Sequence, residues 1–99
     1  MMTDSETYIS IRGLVSSGFS QEDARYVFDE FIGFFEQNRL LKADPRPRGA
    51  LAYADFTSEG EAFFNFVIRA YRRKLYQTKY VQKSRRKWLI QQLASFANT

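Results

Sequence analysis

Leu40-Leu41-Lys42-Ala43-Asp44-Pro45-Arg46-Pro47-Arg48-Gly49-Ala50-Leu51-Ala52-Tyr53-Ala54-Asp55-Phe56 holds the only candidate strands in this 99-residue chain. Two prolines and a closing glycine make Asp44–Gly49 a turn rather than a helix. The segments on either side, Leu40–Ala43 and Ala50–Phe56, read as the two arms of a β-hairpin with a short first strand. Alanine is a poor strand former, so the second arm carries the weaker pattern. On this reading the fold is mainly α with a small β-hairpin, tipped by Arg46 and Arg48.

Upstream of the hairpin, Ser20-Gln21-Glu22-Asp23 is a helix N-terminal signature, with carboxylates in the first turn to complement the dipole. Behind it Ala24, Val27, Phe28, Phe31 and Phe35 recur at helical spacing, which predicts one apolar stripe running to about Asn38. Ile32 and Phe34 widen the buried face, and Glu22, Asp29, Glu30 and Glu36 form an acidic back. Nearer the start, Thr3-Asp4-Ser5-Glu6 reads as a capping box before a short helix through Tyr8, Ile11, Leu14 and Val15. Gly18 ends that helix in the left-handed region.

Downstream, Ser58-Glu59-Gly60-Glu61 reads as another capping box and opens a C-terminal helical region. Phe64, Ile68, Tyr71 and Leu75 form its first stripe, and Leu89, Leu93 and Phe96 its last. No Gly or Pro follows Gly60, and an unbroken helix of about 38 residues would span about 57 Å. A domain of this size does not bury that length, so the helix bends near residues 77–79 or its end projects to a partner subunit. The expectation is one domain over 1–99, with helix-helix-wing at 3–57 and the C-terminal helical region at 58–97.

Charge is segregated along the chain. Residues 1–61 carry all eleven acids and six bases, a net of −5; residues 62–99 carry nine bases and no acid, a net of +9. The nine are Arg69, Arg72, Arg73, Lys74, Lys79, Lys83, Arg85, Arg86 and Lys87. A merely soluble helix interleaves Glu for i,i+4 pairs, so a surface without acids calls for an anion. That anion is a nucleic acid, an acidic protein surface, or the acidic half of this chain or of a twin. Tyr71, Tyr76, Tyr80 and Trp88 lie among the bases, available for stacking or hydrogen bonds, or serving as core.

Composition narrows the chemistry. The chain has no Cys and no His, which removes disulfides, thiolate sites, and the commonest general base and metal ligand. No enzyme activity, cofactor, metal site or small-molecule substrate is therefore expected. The pairs Asp29 with Glu30 and Glu59 with Glu61 are read as solvated or dipole-compensating groups rather than acid–base catalysts. The acidic, polar start is the reverse of a secretory signal, and apolar runs stop far short of a span of about 20 residues; a cytoplasmic protein with no membrane contact is expected. The aromatic excess includes Phe63, Phe66 and Trp88, which together with Leu93 are expected to form a homodimer seam.

Two motifs carry a resemblance. Phe34-Phe35-Glu36-Gln37-Asn38-Arg39-Leu40-Leu41 and Phe56-Thr57-Ser58-Glu59-Gly60-Glu61-Ala62-Phe63-Phe64 flank the hairpin. Across about residues 14–76 the order and spacing resemble the winged helix-turn-helix of small bacterial transcriptional regulators. The resemblance implies a winged-helix-like fold with a long basic C-terminal helix or helix pair. It implies a recognition helix at Ser20–Asn38, a wing whose Arg46 and Arg48 reach double-stranded DNA, and a dimer interface after Thr57. Glu22 and Asp23 depart from it, because a reading helix offers Arg, Lys, Asn or Gln to base edges. The resulting expectation is a small non-enzymatic regulator that binds nucleic acid through Arg46, Arg48, Arg69, Arg72, Arg73, Lys79, Lys83, Arg85, Arg86 and Lys87. The alternative is a protein-binding inhibitor or adaptor, of the anti-defence (such as anti-CRISPR) or immunity type, that docks on an acidic partner.

Overall fold

The structure, a computed structural model, describes residues 9–77 and 85–98. Four α-helices occupy them: α1 (Ile11–Ser16), α2 (Gln21–Gln37), α3 (Ser58–Gln77) and α4 (Arg86–Ala97). The expected capping box at Thr3–Glu6 lies outside the described residues.

Local chemistry sets the helix ends. Ser10 caps α1 by accepting the Gly13 N–H at 3.0 Å, and Gly18 follows the helix at φ +112°. Ser20 caps α2, accepting the Asp23 N–H at 3.1 Å. The other end of α2 closes in a Schellman motif. The Leu40 N–H returns to the Phe35 carbonyl at 2.9 Å, and the Arg39 N–H to the Glu36 carbonyl at 3.1 Å. Arg39 supplies the left-handed residue, at φ +58°, where glycine is usual.

The hairpin does not form. Among the described residues there is no strand, only two isolated antiparallel bridges, Ser10 with Ala50 and Leu41 with Phe56. The winged-helix-like fold expectation is corrected accordingly, to a mainly helical fold with no sheet among the described residues. The physical reason lies in where the backbone groups of residues 40–57 go. Pro45 and Pro47 have no N–H to give a ladder. The junction of turn and second arm pairs instead with residues 9–11: the Ile11 N–H reaches the Gly49 carbonyl at 2.8 Å and the Leu51 N–H the Ile9 carbonyl at 3.1 Å. Residues Tyr53–Asp55 then turn as a 3₁₀ helix, held by the Asp55 carboxylate, which accepts the Ala52 N–H at 2.9 Å. Only the two extremities of the stretch meet, with the Lys42 N–H on the Asp55 carbonyl at 2.8 Å.

Helix α3 is capped one residue before the expected capping box. Thr57 is the cap: its Oγ1 accepts the Gly60 N–H at 3.0 Å and donates to the Leu40 carbonyl at 3.2 Å. Gly60 lies directly against that carbonyl, since a Cβ there would sit 1.8 Å from the Leu40 oxygen. The start of α3 is thereby fastened to the end of α2.

The basic C-terminal region is a helix pair. α3 ends at Gln77, and α4 folds back antiparallel to it, with Trp88 beside Tyr71 (ring centroids 6.3 Å apart) and Phe96 beside Phe63 and Phe66 (5.5 and 5.3 Å). The whole α2 stripe is buried, Ile32 and Phe34 included. Its rings interlock with those of α3, Phe31 lying 4.6 Å from Tyr71 and Phe35 5.5 Å from Phe63. Each buried ring contributes about 1.5–3 kcal/mol by leaving water. No helix among the described residues is long and apolar enough to cross a membrane.

Candidate functional site

The expected site residues divide sharply once their partners are known. Arg46 is committed within the chain. Its Nε donates to Asp44 Oδ1 at 2.9 Å, and its Nη2 to Glu36 Oε1 and Oε2 at 2.8 and 2.9 Å. Hydrogen bonds from the Arg46 side chain, and next from its backbone N–H, hold the Asp44 carboxyl below its ordinary range. The same pair pushes the guanidinium of Arg46 up. Arg48 donates to the carboxylate of Asp55, which is buried, and to the Ala50 carbonyl at 3.3 Å. Both arginines therefore tie down the loop, where the winged reading has them projecting from its tip.

The bases of the C-terminal pair are arranged differently. Arg69 and Arg73 are exposed on α3, four residues apart on one face, and make no ion pair among the described residues. Lys87, exposed at the start of α4, is in the same condition. Arg72 is half-buried. Lys74 lies over the Trp88 ring at 5.6 Å from its centroid, a cation–π contact. Arg85 is buried, and its backbone N–H donates to Glu30 Oε1 at 3.2 Å. Arg86 Nη2 donates to the side-chain oxygen of Gln37. Lys79 and Lys83 lie outside the described residues.

Because α4 returns along α3, bases that lie apart in sequence come to one end of the pair. Arg69, Arg72, Arg73 and Lys74 stand on the C-terminal half of α3, opposite Arg85, Arg86 and Lys87. The acids of α3, Glu59 and Glu61, are both in its first turn. They are about 12 Å or more from Arg69 along the axis, beyond a Debye length of about 8 Å at physiological salt. The first turn of α4 carries no acid, so bases sit at the positive end of a helix dipole, an arrangement that costs stability. Glu30 offsets part of that cost from α2. Its role was not legible in sequence, since it acts on a backbone group 55 residues away.

The four residues expected at a dimer seam also separate. Phe63 is fully buried in the chain's own core, against Phe34, Phe35 and Phe96. Trp88 and Leu93 are half-buried and pack on the same core. Phe66 is 44% exposed. Tyr71, within the basic stretch, is core as well, and burial above all pushes its hydroxyl well up from the ordinary tyrosine range. Among the described residues no group of three or more His, Cys, Asp or Glu comes together as a metal site would need. Compared with protein-family models, curated proteins and solved structures, the chain matches none. Fold and site together define a small, mainly helical domain with a cationic end.

Proposed function

We propose that this protein is a non-enzymatic nucleic-acid-binding module that neutralises backbone phosphates with the cationic end of the α3–α4 pair. One observation carries the reading. The antiparallel return of α4 gathers bases from two helices at one end, and Arg69, Arg73 and Lys87 are left without carboxylate partners among the described residues. Three acids of the α2 back are engaged elsewhere: Glu36 on Arg46, Asp29 beside Arg25 at 3.7 Å, and Glu30 on the start of α4. An external polyanion is the natural complement to what remains. Arg46 and Arg48 are no part of this surface. Binding by charge neutralisation releases counterions and is strongly salt-dependent.

Fluorescence anisotropy with a labelled 20-base-pair duplex of random sequence, and with a single strand of equal length, tests this between about 50 and 200 mM salt. The expected result is binding to at least one of them, with log K falling on log[salt] at a slope of roughly −3 to −5, as about three to six neutralised phosphates require. Arg73→Ala should flatten the slope by about one on a duplex, or by about 0.7 on a single strand. Absence of binding to either at the lowest salt would overturn the reading and leave an acidic protein surface as the partner to seek.

A further inference from the structure

Phe66 occupies an unusual place for an aromatic. It is 44% exposed, yet its ring is held against Phe63 (centroids 6.4 Å, 27° between planes) and against Phe96 at 5.3 Å. Successive residues of an α-helix turn by about 100°, which puts Ala62, Phe66, Arg69 and Arg73 on one outward stripe of α3. All four are exposed. On the C-terminal side of the ring come two arginine positions, about 6 Å apart along the axis. A half-exposed ring fixed by Phe63 and Phe96, and continued by two arginines that make no ion pair among the described residues, has the make-up of a stacking platform beside a phosphate track.

We infer that the nucleic acid this surface takes is single-stranded, with an unpaired base stacking on Phe66 while Arg69 and Arg73 hold the adjoining phosphates. The inference rests on the polyanion reading above and narrows it. Inside a duplex the base faces are already covered by their neighbours, so an exposed phenyl ring gains nothing from phosphate contact alone. An unstacked base presents a free π-face, and stacking on an aromatic side chain is tolerant of sequence. The ring is ordered before binding by Phe63 and Phe96, so little side-chain freedom is lost when a base arrives.

The experiment compares a 15-nucleotide oligothymidylate with a duplex of the same length, by anisotropy at fixed salt and as a salt series. Wild type, Phe66→Ala, Phe66→Tyr and Arg69→Ala are measured, each first shown by circular dichroism to be folded. Wild type should bind the single strand at least as tightly as the duplex. Phe66→Ala should weaken single-strand binding by roughly 5- to 100-fold with an unchanged salt slope, the signature of lost stacking. Phe66→Tyr should restore it. Arg69→Ala should lower the slope by about 0.7 on the single strand. If wild type binds the duplex and Phe66→Ala leaves single-strand affinity unchanged, the single-strand inference fails while the polyanion reading stands. If neither nucleic acid is bound, both fail. If Phe66→Ala converts a dimer into a monomer on sedimentation with unchanged affinity for the strand, the ring serves a contact between copies and the inference is overturned.

Discussion

Replacing Gly60 with alanine tests the join between α2 and α3, where helix propensity and tertiary packing make opposite demands. Gly60 lies in the first turn of α3, and on propensity alone alanine there favours the helix by about 0.5–1 kcal/mol. Tertiary geometry opposes this. The new Cβ would stand 1.8 Å from the Leu40 oxygen, 2.8 Å from its carbonyl carbon and 3.1 Å from its Cβ, where ordinary contact begins near 3.4 Å. Two of the three atoms are backbone, in a residue that is fully buried. Relief requires the start of α3 to retreat by more than an ångström. That retreat breaks the two hydrogen bonds Leu40 accepts, from the Thr57 N–H at 3.1 Å and from Thr57 Oγ1 at 3.2 Å. Each is a net loss of about 1 kcal/mol, and forced overpacking adds about 1–3 kcal/mol. After the propensity gain, a net destabilisation of about 2–4 kcal/mol remains, a large share of a typical stability of about 5–15 kcal/mol. Urea unfolding followed by circular dichroism measures it. Gly33→Ala is the internal control: it lies inside α2, where an added Cβ would meet nothing within 4 Å, and should stabilise by about 0.5–1 kcal/mol. A Gly60→Ala protein as stable as wild type would refute the reasoning.

Four further outcomes follow from single residues. Arg39→Gly should raise stability by about 1 kcal/mol in the same unfolding assay, because Arg39 holds φ +58°, a conformation glycine adopts without the Cβ penalty. Asp55→Ala should lower stability by about 2 kcal/mol, since the buried carboxylate accepts both the Ala52 N–H and Arg48; Arg48→Ala should cost less, because the carboxylate keeps the Ala52 N–H and water can enter where the 55% exposed Arg48 side chain stood. The Tyr71 hydroxyl is buried and has no hydrogen-bond partner among the described residues, and burial keeps it protonated well above the ordinary tyrosine value of 10.0. The unfolded chain therefore releases this proton first as pH rises, so stability is full below about pH 10 and falls by about 1.4 kcal/mol per pH unit above it. Tyr71→Phe should match or exceed wild type at neutral pH and show a shallower loss between about pH 9 and 11 in urea midpoints.

Much of the helical framework was legible in the sequence. The α2 stripe and its Ser20 cap depend on contacts within one or two turns, so periodicity and capping chemistry suffice to place them. The reading went wrong where a short segment had two possible partners. Ala50 and Leu51 have the alternation of a weak strand, but the Leu51 N–H goes to the Ile9 carbonyl and the neighbouring Gly49 carbonyl to the Ile11 N–H. By residue type Ser58 is at least as good a cap for α3 as Thr57, and the Leu40 carbonyl, to which Thr57 also donates, decides for Thr57. Phe63 and Phe66 read alike as surplus aromatics; the return of α4 buries the first and leaves the second outside.

From the chain alone came the helical stripes, the absence of Cys and His, and the division into an acidic first part and a basic last part. These are properties of residue type and spacing, and they hold whatever the chain folds into. Tertiary structure decided the fate of each charge. Arg46 and Arg48 are bound to Glu36, Asp44 and Asp55, Glu30 serves the start of α4, and Arg69, Arg73 and Lys87 face outward. The reason is that a cation's availability depends on which carboxylates lie within about 4 Å of it, and Glu36 reaches Arg46 from another element, ten residues away. Spacing along one helix does not carry that information; the packing of one helix on another does.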